Sequence, residues 1–325
     1  MAFIKKYWFM LGMALLVVIT VVDRSGTLTA IGRWFKIHHG PDLVIILIFF
    51  SSGLALSTSE LQAGLKDIQG LLLALVVIFI VAPLVAIVLG LAPLSPGIKI
   101  GLFLVAVMPT TLSSGVVMTK TAGGNLAHAL FITIVANSLA VFTVPLALGL
   151  LLSFGHNSAP IQIDHAALMF KIAVLVILPL AVGYFIKWRL GTLPNRLAGL
   201  LPIINQSLIL CIIWVALSQS RAAIVSGGTN LIIIVGLTAI FHTALLGAGW
   251  GLNTFFGRGP GKKESVLFMG GQKTLPLAIM LQVSLFPQYG IALVFCVLHH
   301  VVHLMMDGYI AARLRDSQHQ TEKPA

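Results

Sequence analysis

Residues 109–115 read Pro109-Thr110-Thr111-Leu112-Ser113-Ser114-Gly115, and residues 270–276 read Gly270-Gly271-Gln272-Lys273-Thr274-Leu275-Pro276. Each stretch interrupts an otherwise apolar run, about 97–119 in the first case and about 264–286 in the second. Roughly 20 apolar residues are what a helix needs to cross a bilayer. Gly, Pro, hydroxyl and amide groups at mid-run break the backbone ladder. Each freed N–H or C=O in hydrocarbon is costly unless protein or water satisfies it, so such breaks are tolerated where helices line a cavity. The two breaks hold matching places, each in the fourth of five successive runs. With five runs per half, the second half is turned over relative to the first. The pair therefore predicts two inverted repeats with a solute site between them. Two unrelated proline kinks are the other reading of the same residues.

Working outward, apolar runs bounded by Gly, Pro and charges predict ten spans. They cover about 7–22, 42–58, 70–91, 97–119, 126–154, 166–187, 200–219, 229–255, 264–286 and 289–313. The expected architecture is an all-α integral membrane protein forming one domain over 1–325. Its first repeat covers about 1–155, its second about 160–315, and 316–325 form a cytoplasmic tail. Composition agrees: 58% of the residues are hydrophobic, 9% are charged and the mean hydropathy is +1.04. A soluble domain carries about 25% charge. The runs are continuous, where a membrane barrel would alternate in segments of about 10 residues.

The 20 Lys and Arg outnumber nine Asp and Glu, for a formal charge of +11. These bases lie in short clusters between apolar runs, the pattern of cytoplasmic loops and anionic-lipid contacts, so nucleic-acid binding is excluded. With the N-terminus inside, 13 Lys and Arg fall on the cytoplasmic side and five, Arg24, Arg33, Lys36, Lys99 and Arg221, on the other. That asymmetry predicts both termini in the cytoplasm; the expected location is a bacterial inner membrane. Lys5 and Lys6 precede a run without a small-residue cleavage site, which predicts a retained first span. Cys211 and Cys296 fall inside apolar runs and read as buried free thiols, with neither a disulfide framework nor a zinc site.

Two groups of residues carry candidate chemistry. Lys273 places an ammonium near the bilayer centre, where a cation must be paired or hydrated. At a helix break it can donate to unwound carbonyls and fill the space of a bound cation; the alternative is a side chain snorkelling to an aqueous edge. His299, His303 and Asp307 recur at four-residue steps and share a helix face, with His300 beside them. Proton handling, structural hydrogen bonding and a metal site are all open to this set, but three ligands on one straight helix seldom converge on a metal. His128 and His242 read as core histidines with satisfied nitrogens. No enzyme signal stands beside these. The Gly-rich stretches at 247–251 and 257–261 follow no strand, and Ser113-Ser114 has no acid–base pair nearby.

At PTTLSSG (109–115), Thr119-Lys120, Gly123-Gly124-Asn125 and Gly271-Gln272-Lys273-Thr274-Leu275, the chain resembles the bile acid:sodium symporter family. More narrowly, it is similar to the branch of that family's seventh vertebrate member and its bacterial relatives. The likeness covers essentially the whole chain. It implies ten helices in two inverted repeats, with spans 3–5 and 8–10 as a core whose broken fourth and ninth spans cross. Spans 1, 2, 6 and 7 form a panel, and solute binds between panel and core. It implies a secondary transporter, a symporter working by alternating access on a small organic solute, an organic anion by preference. A non-transporting regulator or scaffold on the same fold is the alternative. The implied partners are the solute and the lipid bilayer, and the oligomeric state stays open.

The resemblance also implies sodium sites, and here the residues disagree with it. The family's Ser-Asn pair corresponds to Ser114-Gly115, its two helix 5 hydroxyls to Ala129 and Thr133, its Glu to Phe268 and its helix 3 Gln to Ile78, five residues before Pro83. Only Ser114, Thr133 and Gln272 keep an oxygen, whereas hard cations need a shell of several. No cofactor is expected, and sodium is doubtful as the coupling ion. The expected solute and ion site comprises Thr110, Thr111, Ser113, Ser114, Thr133, Gln272, Lys273 and Thr274. Lys273, His299, His303 and Asp307 are the proton-relay candidates.

Overall fold

The structure is a computed structural model that describes residues 2–56, 62, 64–155, 163–191, 194–226 and 228–321. Among these residues it is all-helical, with no strand. The helices are α1 (Ala2–Val22), α2 (Thr27–Ile37), α3 (Gly40–Ala55) and α4 (Ile68–Gly90). The first broken run comprises α5 (Pro96–Val107) and α6 (Ser114–Thr121), followed by α7 (Leu126–Gly155) and α8 (His165–Leu190). Then come α9 (Asn195–Ser226) and α10 (Gly228–Phe255). The second broken run comprises α11 (Lys263–Gly271) and α12 (Leu275–Leu285), and α13 (Gly290–Thr321) ends the chain.

Seven helices are long and apolar enough to cross a membrane, or eight if the bent α1–α2 pair forms one span. Helices stand at each of the ten predicted runs, but α3 and α5 fall short of a full crossing on length alone. The 57–58 end of the second predicted span lies outside the described residues, as do the last four residues of the predicted tail. Helix α13 continues through the described part of that tail to Thr321.

One helix was not predicted. Residues 24–37 read as a basic loop, because Arg24, Ser25 and Gly26 end the first apolar run. In the structure Gly26 adopts φ 69° and the chain turns by 111° into α2. Helix α2 is amphipathic: it buries Gly32 against Ser218 of α9 and leaves Ile31, Trp34 and Ile37 exposed. An 11-residue stripe interleaved with Arg33 and Lys36 is too short for a run-length criterion to register.

Two wide helical turns follow from proline. In α4, residues Val77–Val81 form a π turn in which Ala82 N–H bonds Val77 O, five residues back. The next carbonyl in that register, Ile78 O, would face Pro83, which has no N–H to give. Residues Ala173–Ile177 of α8 repeat the device ahead of Pro179. Helices α3 and α8 meet backbone to backbone. A Cβ on Gly53 would lie 2.2 Å from Leu180 O, and one on Gly183 would lie 2.2 Å from Phe50 O. Only glycine at both positions lets the backbones approach so closely.

Candidate functional site

The breaks are shorter than predicted, and they touch each other. Helix α5 ends at Val107 because Met108 precedes Pro109 and is held extended (ψ 143°). Helix α6 resumes at Ser114, so Gly115 is helical. On the other side α11 continues through Gly270 and Gly271, and only Gln272, Lys273 and Thr274 are unwound. Thr274 N–H donates to Pro109 O at 2.9 Å, a backbone bond that joins the two breaks at a crossing.

Lys273 occupies this crossing with 2% of its surface exposed. Its Nζ donates to three backbone carbonyls: Ile78 O at 2.8 Å, Met108 O at 3.0 Å and Ala106 O at 3.1 Å. Each acceptor is a group that proline has left without a helical partner. Ile78 O lost its donor to Pro83 in the π turn, and Ala106 and Met108 lie at the C-terminal end of α5, cut short by Pro109. An ammonium has three protons and here spends all three on main-chain oxygens. The side chain is internal and does not snorkel to an aqueous edge.

Gln272 bridges the same crossing. Its Oε1 accepts from Thr111 Oγ1 at 2.6 Å and Ser114 Oγ at 2.7 Å, and its Nε2 donates to Asp307 Oδ2 at 2.7 Å. Asp307 Oδ1 in turn lies 2.8 Å from His242 Nε2. Thr111 Oγ1 also caps Gly115 N–H at 3.0 Å, and Thr133 Oγ1 bonds Ala129 O at 3.0 Å. The oxygens that a sodium ion would need are thus committed within the protein. Phe268, Ile78 and Ala129, fully buried, bring hydrocarbon to three further positions. These residues do not fit a sodium ion.

A cavity of about 260 Å³ opens against the crossing. Thr111, Ser113, Ser114 and Thr274 line it from the breaks, while Ser52 of α3, Asn205 and Gln206 of α9, Phe9 of α1 and His300 of α13 face them. The rest of the wall is apolar, and among the described residues no Lys, Arg, Asp or Glu lines it. Of the predicted site, Gln272, Lys273 and Thr110 lie behind this wall, and Thr133 lines a smaller cavity of about 70 Å³ that shares Ser52, Ser113 and Asn205 with it. Thr110 is fully buried, and its hydroxyl has no partner among the described residues.

The predicted face His299, His303 and Asp307 is buried, but Asp307 pairs with His242 and Gln272 and not with its own helix. His242, read from the sequence as a satisfied core histidine, therefore belongs to the site. Its partner lies 65 positions away, and no local spacing announces it. Among the described residues no group of three or more His, Cys, Asp or Glu is placed to hold a metal. His128 is the satisfied histidine that was predicted: Nδ1 lies 2.7 Å from Ser265 Oγ and Nε2 lies 3.0 Å from Asp67 O. Asp67 caps α4 through Gly70 N–H at 2.9 Å and forms a two-pronged pair with Arg258. The Arg258 guanidinium holds the Asp67 carboxyl down at about 2, against an ordinary 3.8.

Comparison with known proteins bears on the family of the chain. Over 278 residues, 81% of this chain, the sequence is 29% identical to "Probable sodium/metabolite cotransporter BASS4, chloroplastic" of Arabidopsis thaliana, and the match spans 63% of that longer protein. It is 28% identical over 299 residues to sodium/bile acid cotransporter 7 of Xenopus tropicalis, covering 88% of this chain and 84% of the frog protein. An uncharacterized Pseudomonas aeruginosa protein, PA2026, is 26% identical over 306 residues. Residues 7–316, nearly the whole chain, match the SBF-like CPA transporter family, and with its helical fold and crossed breaks this chain belongs to that family.

Proposed function

We propose that this protein is a secondary transporter that carries a small organic solute across the bacterial inner membrane by alternating access, without sodium. The observation that carries this reading is the cavity bounded on one side by both broken helices and on the other by α1, α3 and α9. In this reading the chain crosses the membrane ten times as two inverted repeats, about 1–155 and 160–315, with both termini cytoplasmic. Helices α4–α7 and α10–α13 form the core, and α1, α3, α8 and α9 form the panel that rocks against it. The Gly53–Gly183 contact supports treating α3 and α8 as one rigid unit.

At about 260 Å³ the cavity falls just below the usual range of roughly 300–1,000 Å³ for drug-sized ligands. It suits a metabolite of a dozen or so heavy atoms better than a steroid. The first turns of α6 and α12, at Ser114 and Leu275, both open on it, so the positive ends of two helix dipoles face an anionic group, although Gly115 N–H and Thr274 N–H are already bonded and Pro276 has none. Thr111, Ser113, Ser114 and Thr274 supply hydroxyls. Lys273 acts as a tethered cation: it neutralises the carbonyl ends at the crossing that a free sodium ion would otherwise serve.

The test has two steps. Purified protein is screened for thermal stabilisation against a metabolite panel, and hits are assayed for uptake into proteoliposomes with and without an inward sodium gradient. Saturable uptake that is unchanged by sodium and reduced at least tenfold by Ser114→Ala is expected. Steep sodium dependence would overturn the coupling assignment. Binding without flux would favour a regulator or scaffold.

A further inference from the structure

Beyond Gln272 and Asp307, the core holds a cluster that solute binding alone does not explain. His242 of α10 and His299, His300 and His303 of α13 are each at most 4% exposed. Their rings are contiguous. His300 stands 4.7 Å from His303 between centroids, His303 5.2 Å from His299 and 5.6 Å from His242. Five ring nitrogens have no hydrogen-bond partner among the described residues: His242 Nδ1, His299 Nε2, His300 Nδ1 and both nitrogens of His303. Buried polar groups are normally paired, and a cluster kept only for packing would not leave so many open. The cluster also has two ends. His300 lines the solute cavity, while His242 bonds Asp307, which bonds the amide of Gln272 at the crossing.

We propose that His300, His303, His242 and Asp307 form a proton-binding chain that opens on the solute cavity and reports its charge to the crossed helices through Gln272, so that solute moves together with a proton. This rests on the transporter reading above. A proton from hydrated cavity acid breaks its O–H bond as it forms N–H on His300. Because among the described residues no ring nitrogen bonds another at rest, each later transfer follows a rotation of the imidazole rings and breaks one N–H bond as it forms the next, ending as N–H on His242 or O–H on Asp307. Release to the opposite side reverses these steps, so protons balance and nothing is oxidised or reduced. The geometry shows how the charge is read. While Asp307 is a carboxylate, it accepts from Gln272 Nε2, and Gln272 Oε1 is then turned to Thr111 and Ser114. The proton that arrives from His242 sits on Oδ1, so a neutral Asp307 donates back to His242 Nε2 while Oδ2 still accepts from Gln272 Nε2, now without a negative charge. That weaker hold frees the Gln272 amide to turn from Thr111 and Ser114, which both line the cavity.

The other groups facing the cluster are few. Lys273 is close enough to His299 for their charges to interact. Helix α1 presents Phe9 to His300, α10 presents Phe241 to His299, and α9 presents Asn205 and Gln206 across the cavity. Met118 of α6 and Leu275 and Pro276 of α12 complete the surroundings of His300. None of these, Lys273 apart, carries a charge.

The test uses the full chain in lipid nanodiscs and the proton alone as probe. Infrared difference spectra between pH 9 and pH 4 should show a protonated-carboxyl band that Asp307→Asn removes. After a pH jump that band should rise at least tenfold more slowly in His300→Gln, and in His300→Phe, which keeps a ring beside Phe9. Absence of an Asp307 band across this range would overturn the proposal, as would unchanged kinetics in both folded His300 variants. Transport separates the two readings. Uptake driven by a proton gradient in the native protein and lost in Asp307→Asn is expected. Solute flux without an Asp307 band sinks the proton chain and leaves the transporter, whereas an Asp307 band with no flux for any solute sinks the transporter reading.

Discussion

At the scale of single residues, Lys273 is the position with the sharpest expectation. Its three protons satisfy three carbonyls that no helix satisfies, and a buried carbonyl left alone costs on the order of 1–3 kcal/mol. Lys273→Ala should therefore lower thermal stability by several degrees in scanning fluorimetry. Millimolar ethylammonium, or sodium, should restore part of the loss by entering the vacated cage. A variant as stable as the native protein, or one deaf to both cations, would show that the carbonyls had found other donors. Lys273 was legible in the sequence as a cation at a break, because its neighbours Gly271, Gln272 and Pro276 mark the break. Its acceptors were only half legible. Ile78 could be found by counting back from Pro83, but that its main-chain oxygen, and not its side chain, would matter depends on the π turn. His242 was not legible at all, since an apolar helix with one histidine reads the same whether or not an aspartate from another helix faces it.

At the scale of helices, contacts between small residues and one ion pair set the geometry. Gly53→Ala places a methyl 2.2 Å from Leu180 O, so α3 and α8 must part. Overpacking of this kind costs about 1–3 kcal/mol, and Gly53→Val should cost more than Gly53→Ala. Unchanged melting in both variants would mean that the two helices are free to slide. The Asp67–Arg258 pair ties the start of α4 to the α10–α11 connection. Because folding depresses the Asp67 pKa from 3.8 to about 2, its stabilisation is fully present above pH 3.8 and disappears as pH falls through about 2. Asp67 is partly exposed, so solvent screening keeps the effect below about 1 kcal/mol. Asp67→Asn should melt slightly lower than the native protein at pH 7, with the gap closing between pH 4 and pH 2. A gap that persists at pH 2 would assign the effect to the altered hydrogen bonds with Arg258 and not to charge. Helix positions were readable from run lengths, whereas α2 and the true ends of the breaks were not. Both depend on turn geometry that short polar stretches do not encode.

For the molecule as a whole, the bond from Thr274 N–H to Pro109 O and the Lys273 cage have a consequence for how the chain comes to exist as a folded object. Residues before 155 contribute carbonyls that cannot be satisfied from within that half. Residues after 163 contribute an ammonium and an amide with nowhere else to go. Neither half closes on its own. During synthesis the first half must wait in the membrane, its broken helix open, until about 120 further residues have been inserted. Expressed alone, a fragment ending at 155 should be degraded, and co-expression with 163–321 should rescue it as a copurifying pair. Two halves that each persist alone would show that the crossing is assembled from finished parts. Otherwise the two halves are reciprocal templates, and a lesion at either break is felt first as a failure of biogenesis.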